Sequence, residues 1–349
     1  IPLLPVAMGA GLLGLGILRF SERAGGGCLN LCKAILWIYD RIGELAARLP
    51  VSRWVTGKPP LYLLVIYYGL ILWICIWFYR LKERRTEKEQ RKTKSRERWM
   101  GVPGILLVCL SVLLPGSCWL MHQVQGQVTV TVLDVGQGDG IYLHTKEGTN
   151  FFFDGGSTDV SKVGTYRMLP FLKAKGVKKI DYWIVSHTDA DHISGLKEIL
   201  QAEYEIDHIV FSKYVLNDEA YQELLALAQT YGTEILKMDC GDTLTDGEAK
   251  LRCIFPDQTY KSDDKNALSL VLRYEDQEFS GIFTGDISSA EEQYLVEHKK
   301  AGSVTFYKAA HHGSRYSNSR DFLMALSPEI TTISCGENNR YGHPGEEAL

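Results

Sequence analysis

The chain contains no GxGxxG and no GxxxxGK[ST] loop in its 349 residues. A glycine cradle for phosphate at a helix start is therefore missing, and a nucleotide-binding doubly wound sheet has no support. None of the eight cysteines forms a CxxC pair at zinc-finger spacing, which removes the small structural zinc modules. Cys75 and Cys109 lie in apolar runs, where a small buried hydrophobe is expected. Cys240 and Cys253 flank a turn-rich stretch and could pair if that part of the chain faces an oxidising space. An initiator Met and a signal-peptide n-region are also lacking. The chain opens on Ile1 and stops at Leu349 without a closing element, as expected of an internal fragment truncated at its C-terminus.

A broad excess of positive charge is absent too. The formal net charge is -4. Residues 80–98 alone hold ten Lys/Arg against four Glu, an excess of six, which leaves -10 for the remainder. A neutral-to-acidic remainder argues against electrostatic coating of nucleic acid and leaves a local groove open.

Long apolar runs are confined to residues 1–125, which read as a membrane region. Spans of about 20 apolar residues are expected over about 1–18, 59–79 and 99–121. The basic stretch between the second and third spans is a short loop of the kind that stays in the cytoplasm. It therefore puts everything after about His122 on the non-cytoplasmic face of a multi-pass cell-membrane protein. Leu31, Ile35, Ile38, Ile42, Leu45 and Leu49 recur at helical spacing opposite Lys33, Asp40, Arg41, Glu44 and Arg48. This pattern predicts an amphipathic helix over about 28–49, stopped by Pro50.

Residues 126–349 read as a soluble domain. Short β-rich runs separated by Gly, Asp and Asn begin at Val128, and Lys146-Glu147-Gly148 reads as a hairpin turn. Further strands are predicted at IDHIVFS, LRCIFP, LSLVLRY, FSGIFTGD, VTFYKAA and ITTISCG. Helices are predicted at ISGLKEILQAEY, DEAYQELLALAQTYG and SSAEEQYLVEHK. The run KIDYWIVSH leads directly into Ser186-His187-Thr188-Asp189-Ala190-Asp191-His192. Four metal-capable side chains within six residues at a strand end would be costly to bury unpaired. His187 and Asp189 can face one metal, and Asp191 and His192, opening the next helix, a second.

The HxDxDH pattern of residues 187–192 resembles the HxHxDH motif of the metallo-β-lactamase superfamily, which implies an αββα sandwich. The resemblance extends to other positions. Asp134 in LDVGQGD corresponds to the first superfamily Asp, which supports the metal site indirectly, and Asp286 in FTGD to the Asp that bridges two metals. His311, His312 and His343 correspond to the later histidine motifs. Among these, His312 is favoured as a ligand and His311 as its neighbour. His343 is left open between ligand and transition-state stabiliser. LDVGQGDG, SHTDADHISG, KNALSLVL, FTGD, KAAHHGS and GHP, in this order behind apolar spans, together resemble the C-terminal part of the ComEC family of competence proteins. That family implies DNA uptake in natural transformation, with DNA, the membrane and other uptake proteins as partners. Two departures from the superfamily pattern stand out: Asp189 in place of a His, and Asn266 where many relatives carry a third-motif His. His208 is the only His between His192 and Asp286, and it sits at the start of a predicted strand. Oxygen-rich ligands shift the preference of the two expected divalent ions from Zn²⁺ toward Mn²⁺, with Mg²⁺ a further option.

The function expected from these residues is an exported metal-dependent nuclease that degrades the non-transported DNA strand. Asp189 or Asp191 would orient the attacking water, and Lys308, Ser314, Arg315 and Asn266 are candidates to touch substrate. Two alternatives compete: a channel component whose domain only guides DNA, and a membrane-anchored small-molecule hydrolase. A guide has no need of the metal motif. Small-molecule hydrolases of this superfamily tend to keep HxHxDH and the third-motif His.

Overall fold

The computed structural model describes residues 3–48, 55–89, scattered positions between 106 and 118, and 126–349. It divides into two compact units, Ile1–Trp54 and Val55–Leu349.

The first unit is a pair of helices, α1 (Leu4–Leu18) and α2 (Glu22–Ala47). Helix α2 starts earlier than its apolar periodicity predicts, because Ser21 caps it by accepting from the Ala24 amide at 3.4 Å. In the second unit, α3 (Leu61–Glu89) runs from an uncharged start into the Arg-, Lys- and Glu-rich stretch beyond Tyr79. Among the described residues no helix is long and apolar enough to cross a membrane. The expected span over 99–121 and the basic run beyond residue 89 lie largely outside the described residues.

Among the described residues the second unit also holds two six-stranded sheets, with helices packed on them. The first orders β1 (Thr129–Val132), β2 (Ile141–His144), β3 (Asn150–Phe153), β4 (Lys179–Ile184), β5 (Glu205–Ser212) and β6 (Glu234–Met238) side by side in sequence order. The second runs from β12 (Ile330–Thr332) through β11 (Phe306–Lys308), β10 (Ser280–Phe283), β9 (Val271–Glu275) and β8 (Ala249–Phe255) to β7 (Thr243–Asp246). Strand period sorts the apolar residues into three layers. Phe151, Phe153, Ile184, Leu251, Leu272 and Phe283 fill the space between the sheets, where Phe153 stacks on Phe283 with centroids 3.8 Å apart. The intervening Phe152 and Trp183 point the other way, into a cluster with Leu172 of α4 (Leu169–Lys175), Leu196 of α5 (Ala190–Gln201) and Leu224 of α6 (Glu219–Tyr231). On the far side, Ile282 and Tyr307 pack with Leu295 of α7 (Ser289–Glu297) and Phe322 of α8 (Arg320–Leu326). Helix layer, sheet, sheet and helix layer reproduce the expected αββα sandwich.

Cys240 and Cys253 are not bonded to each other; both thiols are free. The Cys240 Sγ donates to the Ile254 carbonyl at 3.2 Å, and burial pushes the Cys253 thiol up to about 12. His208 stacks on Tyr182 in the first sheet, 5.0 Å between centroids, with Nδ1 3.1 Å from the Asp181 carbonyl oxygen, and so serves the sheet.

Candidate metal centre

The chemistry gathers where strands of both sheets end in loops, so a rigid frame presents short irregular segments. The β1–β2 loop brings Asp139, the residue after β3 is Asp154, and β4 leads into His187. Helix α5 opens with Asp191 and His192, β10 leads into Asp286, and β11 ends at Lys308, four residues before His312. Glycines allow these loops to touch. Gly138 (φ +155) lies so close to its neighbours that a Cβ there would meet the Gly156 carbonyl oxygen at 2.3 Å and that of Asp191 at 2.6 Å. Backbone bonds lock the same junction: the Asp139 amide donates to Asp191 O at 3.1 Å and the Gly156 amide to Asp139 O at 3.0 Å.

Hydrogen bonds fix which imidazole nitrogen faces the centre. His312 Nδ1 lies 2.9 Å from the Ser334 carbonyl oxygen. A carbonyl only accepts, so Nδ1 carries the proton and Nε2 is left as a bare donor atom for a metal. Asp154 does the same for His192. Its carboxylate accepts from the Ser186 amide and hydroxyl at 2.8 and 2.9 Å and faces His192 Nδ1 at 3.0 Å. The Nε2 atoms of His192 and His312 then point at Asp286 Oδ2 from 3.2 and 3.4 Å. A bare nitrogen and a carboxylate oxygen repel unless positive charge sits between them. In the metal-free protein that charge is a proton. Burial lowers the affinity of both imidazoles for it, but the Asp286 carboxylate and its neighbours outweigh burial. They raise His192 well above the usual range and His312 to about 9. His187 is instead pushed down to about 4, by burial and then by the charge on His192.

Both oxygens of Asp139, Oδ1 of Asp286 and the Nε2 atoms of His187, His192 and His312 are buried without a hydrogen-bond partner. Each such atom ordinarily destabilises a fold by about 1–3 kcal/mol. Ligand atoms of Asp139, His192, Asp286 and His312 all lie within 4.8 Å of one another, and all four residues are buried. Two nitrogens and two carboxylates converging in a buried site suit a divalent cation.

Several expected site residues join this cluster and others stand apart. His187, Asp191, His192, Asp286 and His312 converge; Asp191 Oδ2 is 3.6 Å from His312 Nε2, and its carboxyl is held down at about 2 despite burial. His311 is close by, with Nε2 3.8 Å from Asp286 Oδ2. His343 sits over His312 with ring centroids 6.1 Å apart, its Nδ1 3.4 Å from Gln137 Nε2. Asp189 is 43% exposed, and its Oδ1 is held by Lys265 Nζ at 3.1 Å. Asn266 lies in the short turn next to Lys265 with its side-chain oxygen buried and unpartnered.

Three placements correct the expectations. Asp134 is 80% exposed and pairs with Arg167 at 3.1 Å on the surface, so it supports no ligand. Lys308, a candidate to touch substrate, is 2% exposed and rests against Asp139 inside the cluster. Ser314 is 3% exposed, and its hydroxyl accepts from the Tyr316 amide at 3.2 Å, turned into its own loop. Asp139 and Asp154 were not anticipated. The signals were available: Asp139 follows Asp134 within LDVGQGD, and Asp154 separates three consecutive Phe from two Gly.

Residues 124–210 match the metallo-beta-lactamase superfamily. ComE operon protein 3 of Bacillus subtilis (strain 168) is 31% identical over 233 residues, 63% of this chain and 30% of its own length. Competence protein ComA of Neisseria gonorrhoeae is 30% identical over 225 residues, 64% of this chain and 29% of its own length. The chain thus spans less than a third of the curated relatives it matches. Among solved structures, the metallo-beta-lactamase fold protein YhfI of Bacillus subtilis aligns with 64% of this chain and 92% of its own, at 14% identity and a TM-score of 0.43. By sequence the chain is similar to competence proteins of the ComEC family, and residues 124–210, which match the metallo-beta-lactamase superfamily, lie in an α/β sandwich.

Proposed function

We propose that residues 126–349 form a metal-dependent phosphodiesterase acting on DNA during uptake, degrading the strand that is not transported. The observation that carries this is the buried set Asp139, His192, Asp286 and His312, whose ligand atoms converge within 4.8 Å of one another. A divalent ion bound there would polarise a phosphoryl oxygen and lower the pKa of a water molecule. The chain's own residues supply the rest. Asp191 stays ionised, so it acts purely as an acceptor able to orient the attacking water. Asp189, at the exposed mouth, is a second acceptor whose charge Lys265 balances. His343 is pushed below the usual imidazole range by burial and by His311 and His312. It is therefore neutral at pH 7 and can donate one hydrogen bond to the developing charge or serve as a further ligand. Among the expected metals, the oxygen share of the cluster favours Mn²⁺ over Zn²⁺.

We place this domain on the non-cytoplasmic side of a cell membrane, behind the membrane region of residues 1–125. The exposed apolar side chains Leu12, Leu13 and Leu15 of α1, and Leu61, Val65, Leu72 and Trp73 of α3, support membrane association. The competence relatives support DNA and other uptake proteins as partners. The test is cleavage of single-stranded DNA by the full chain with Mn²⁺, beside an Asp191→Ala, His192→Ala double variant. Cleavage should fall by at least about 10²-fold in the variant. A folded, Mn²⁺-loaded chain that leaves DNA intact would shift the reading to a domain that only guides DNA.

A further inference from the structure

Lys308 ends β11, and its backbone pairs in parallel register with Phe283 of β10, three residues before Asp286. That register aims its side chain into the metal cluster, where it is 2% exposed and its Nζ has no hydrogen-bond partner of good geometry. A buried ammonium is tolerated only beside opposite charge. Here that charge comes from the two carboxylates of the cluster itself. Nζ rests against Asp139 Oδ2 and lies 3.9 Å from Asp286 Oδ1.

The two carboxylates are held differently. Asp286 turns Oδ1 to Lys308 and Oδ2 to the Nε2 atoms of His192 and His312. Asp139 turns Oδ2 to Lys308, while its Oδ1 lies 3.6 Å from His312 Nδ1, the nitrogen that faces Ser334. Asp286, shared in this way between two positions of positive charge, has the arrangement expected of a bridge between two cations. One of those positions is filled by the protein. Of the further carboxylates, Asp189 is already paired with Lys265 at 3.1 Å, which also binds Asp218 at 2.6 Å, and Asp191 faces His312 Nε2 at 3.6 Å, on the side of the first ion.

We infer that the Lys308 ammonium takes the place of a second divalent cation, so that the centre holds one metal ion per chain; this deepens the metal-centre reading above and depends on it. The two-cation site implied by the family resemblance becomes one ion and one lysine. Asp286 bridges them, and Asp139 is anchored by the lysine.

The test counts bound Mn²⁺ on the full chain after equilibrium dialysis against Mn²⁺ alone, with electron paramagnetic resonance of the same samples. The wild-type chain should hold one Mn²⁺ with an uncoupled six-line spectrum. Lys308→Arg, which keeps the charge, should also hold one. Lys308→Met, which frees Asp139 and one oxygen of Asp286, should take a second ion and develop an exchange-coupled spectrum. Two coupled ions in the wild-type chain would overturn the inference, and that result needs no variant to fold. One ion in a folded Lys308→Met chain would overturn it too, because Lys308 would then not set the count. A wild-type chain that binds no Mn²⁺ is a distinct failure that removes the metal reading itself.

Discussion

Asp154 is 5% exposed and spends its carboxylate on Ser186 and on His192 Nδ1. Its effect on the centre is therefore indirect: it fixes the tautomer and direction of His192. Asp154→Asn keeps the shape but can present an NH₂ where His192 needs an acceptor. We expect Mn²⁺ affinity to drop about 10–100-fold, measured by calorimetric titration of Mn²⁺ into wild type and variant. Asp134→Asn, on an exposed surface pair, should leave affinity the same and change stability by less than about 0.5 kcal/mol. This contrast marks what the sequence could and could not reveal at single positions. Residues 187–192 are legible because so many ligand-type side chains fall in six positions. Asp139 and Asp154 each stand alone in a glycine loop, where an Asp ordinarily reads as a turn residue. Their role follows from contacts to residues dozens of positions away. Lys308 had no local mark of burial, since the strand that buries it is only three residues long.

At the scale of elements, the loop junction behind the cluster is held by close backbone packing rather than by side chains. A Cβ on Gly156 would meet Ala190 O at 2.4 Å and His192 N at 2.5 Å, both backbone atoms at the start of α5. Gly156→Ala must push that helix start away from β3. We predict destabilisation of about 1–3 kcal/mol or more, read from urea denaturation midpoints, together with weakened Mn²⁺ binding because His192 moves with the helix.

A second element-scale prediction concerns acid stability. Burial would raise the Asp257 carboxyl, but Lys300 Nζ at 2.7 Å, with the hydroxyls of Thr259 and Tyr294, outweighs burial and holds it well below the usual range. A depressed folded pKa gives stability that is complete above the unfolded value of about 3.9 and fades as pH falls through the folded one. Asp257→Asn should therefore lower the denaturation midpoint at pH 7, and the gap to wild type should narrow on acidification below pH 4. An equal gap at pH 7 and pH 3 would contradict this account. Strand prediction also missed β6 and β7, which are half-exposed and only five and four residues long, so neither offers a run of buried apolar residues.

At the scale of the whole molecule, two sheets pressed together by Phe153 and Phe283 bring loops from opposite halves of the domain to one point. Asp139 and Asp154 come from the first sheet, and Asp286, Lys308 and His312 from the second. The centre exists only while the sandwich is assembled, and a bound ion should stabilise the fold in proportion to its affinity. The central claim is that this convergence hydrolyses phosphodiesters with a divalent metal. The most direct measurement is hydrolysis of bis(p-nitrophenyl) phosphate by the full chain, stripped with EDTA and then reloaded with Mn²⁺, beside Asp286→Asn. The account predicts activity lost on stripping, restored by Mn²⁺, and reduced more than about 10²-fold in the variant. Hydrolysis that persists after stripping, or that survives in Asp286→Asn, would contradict it.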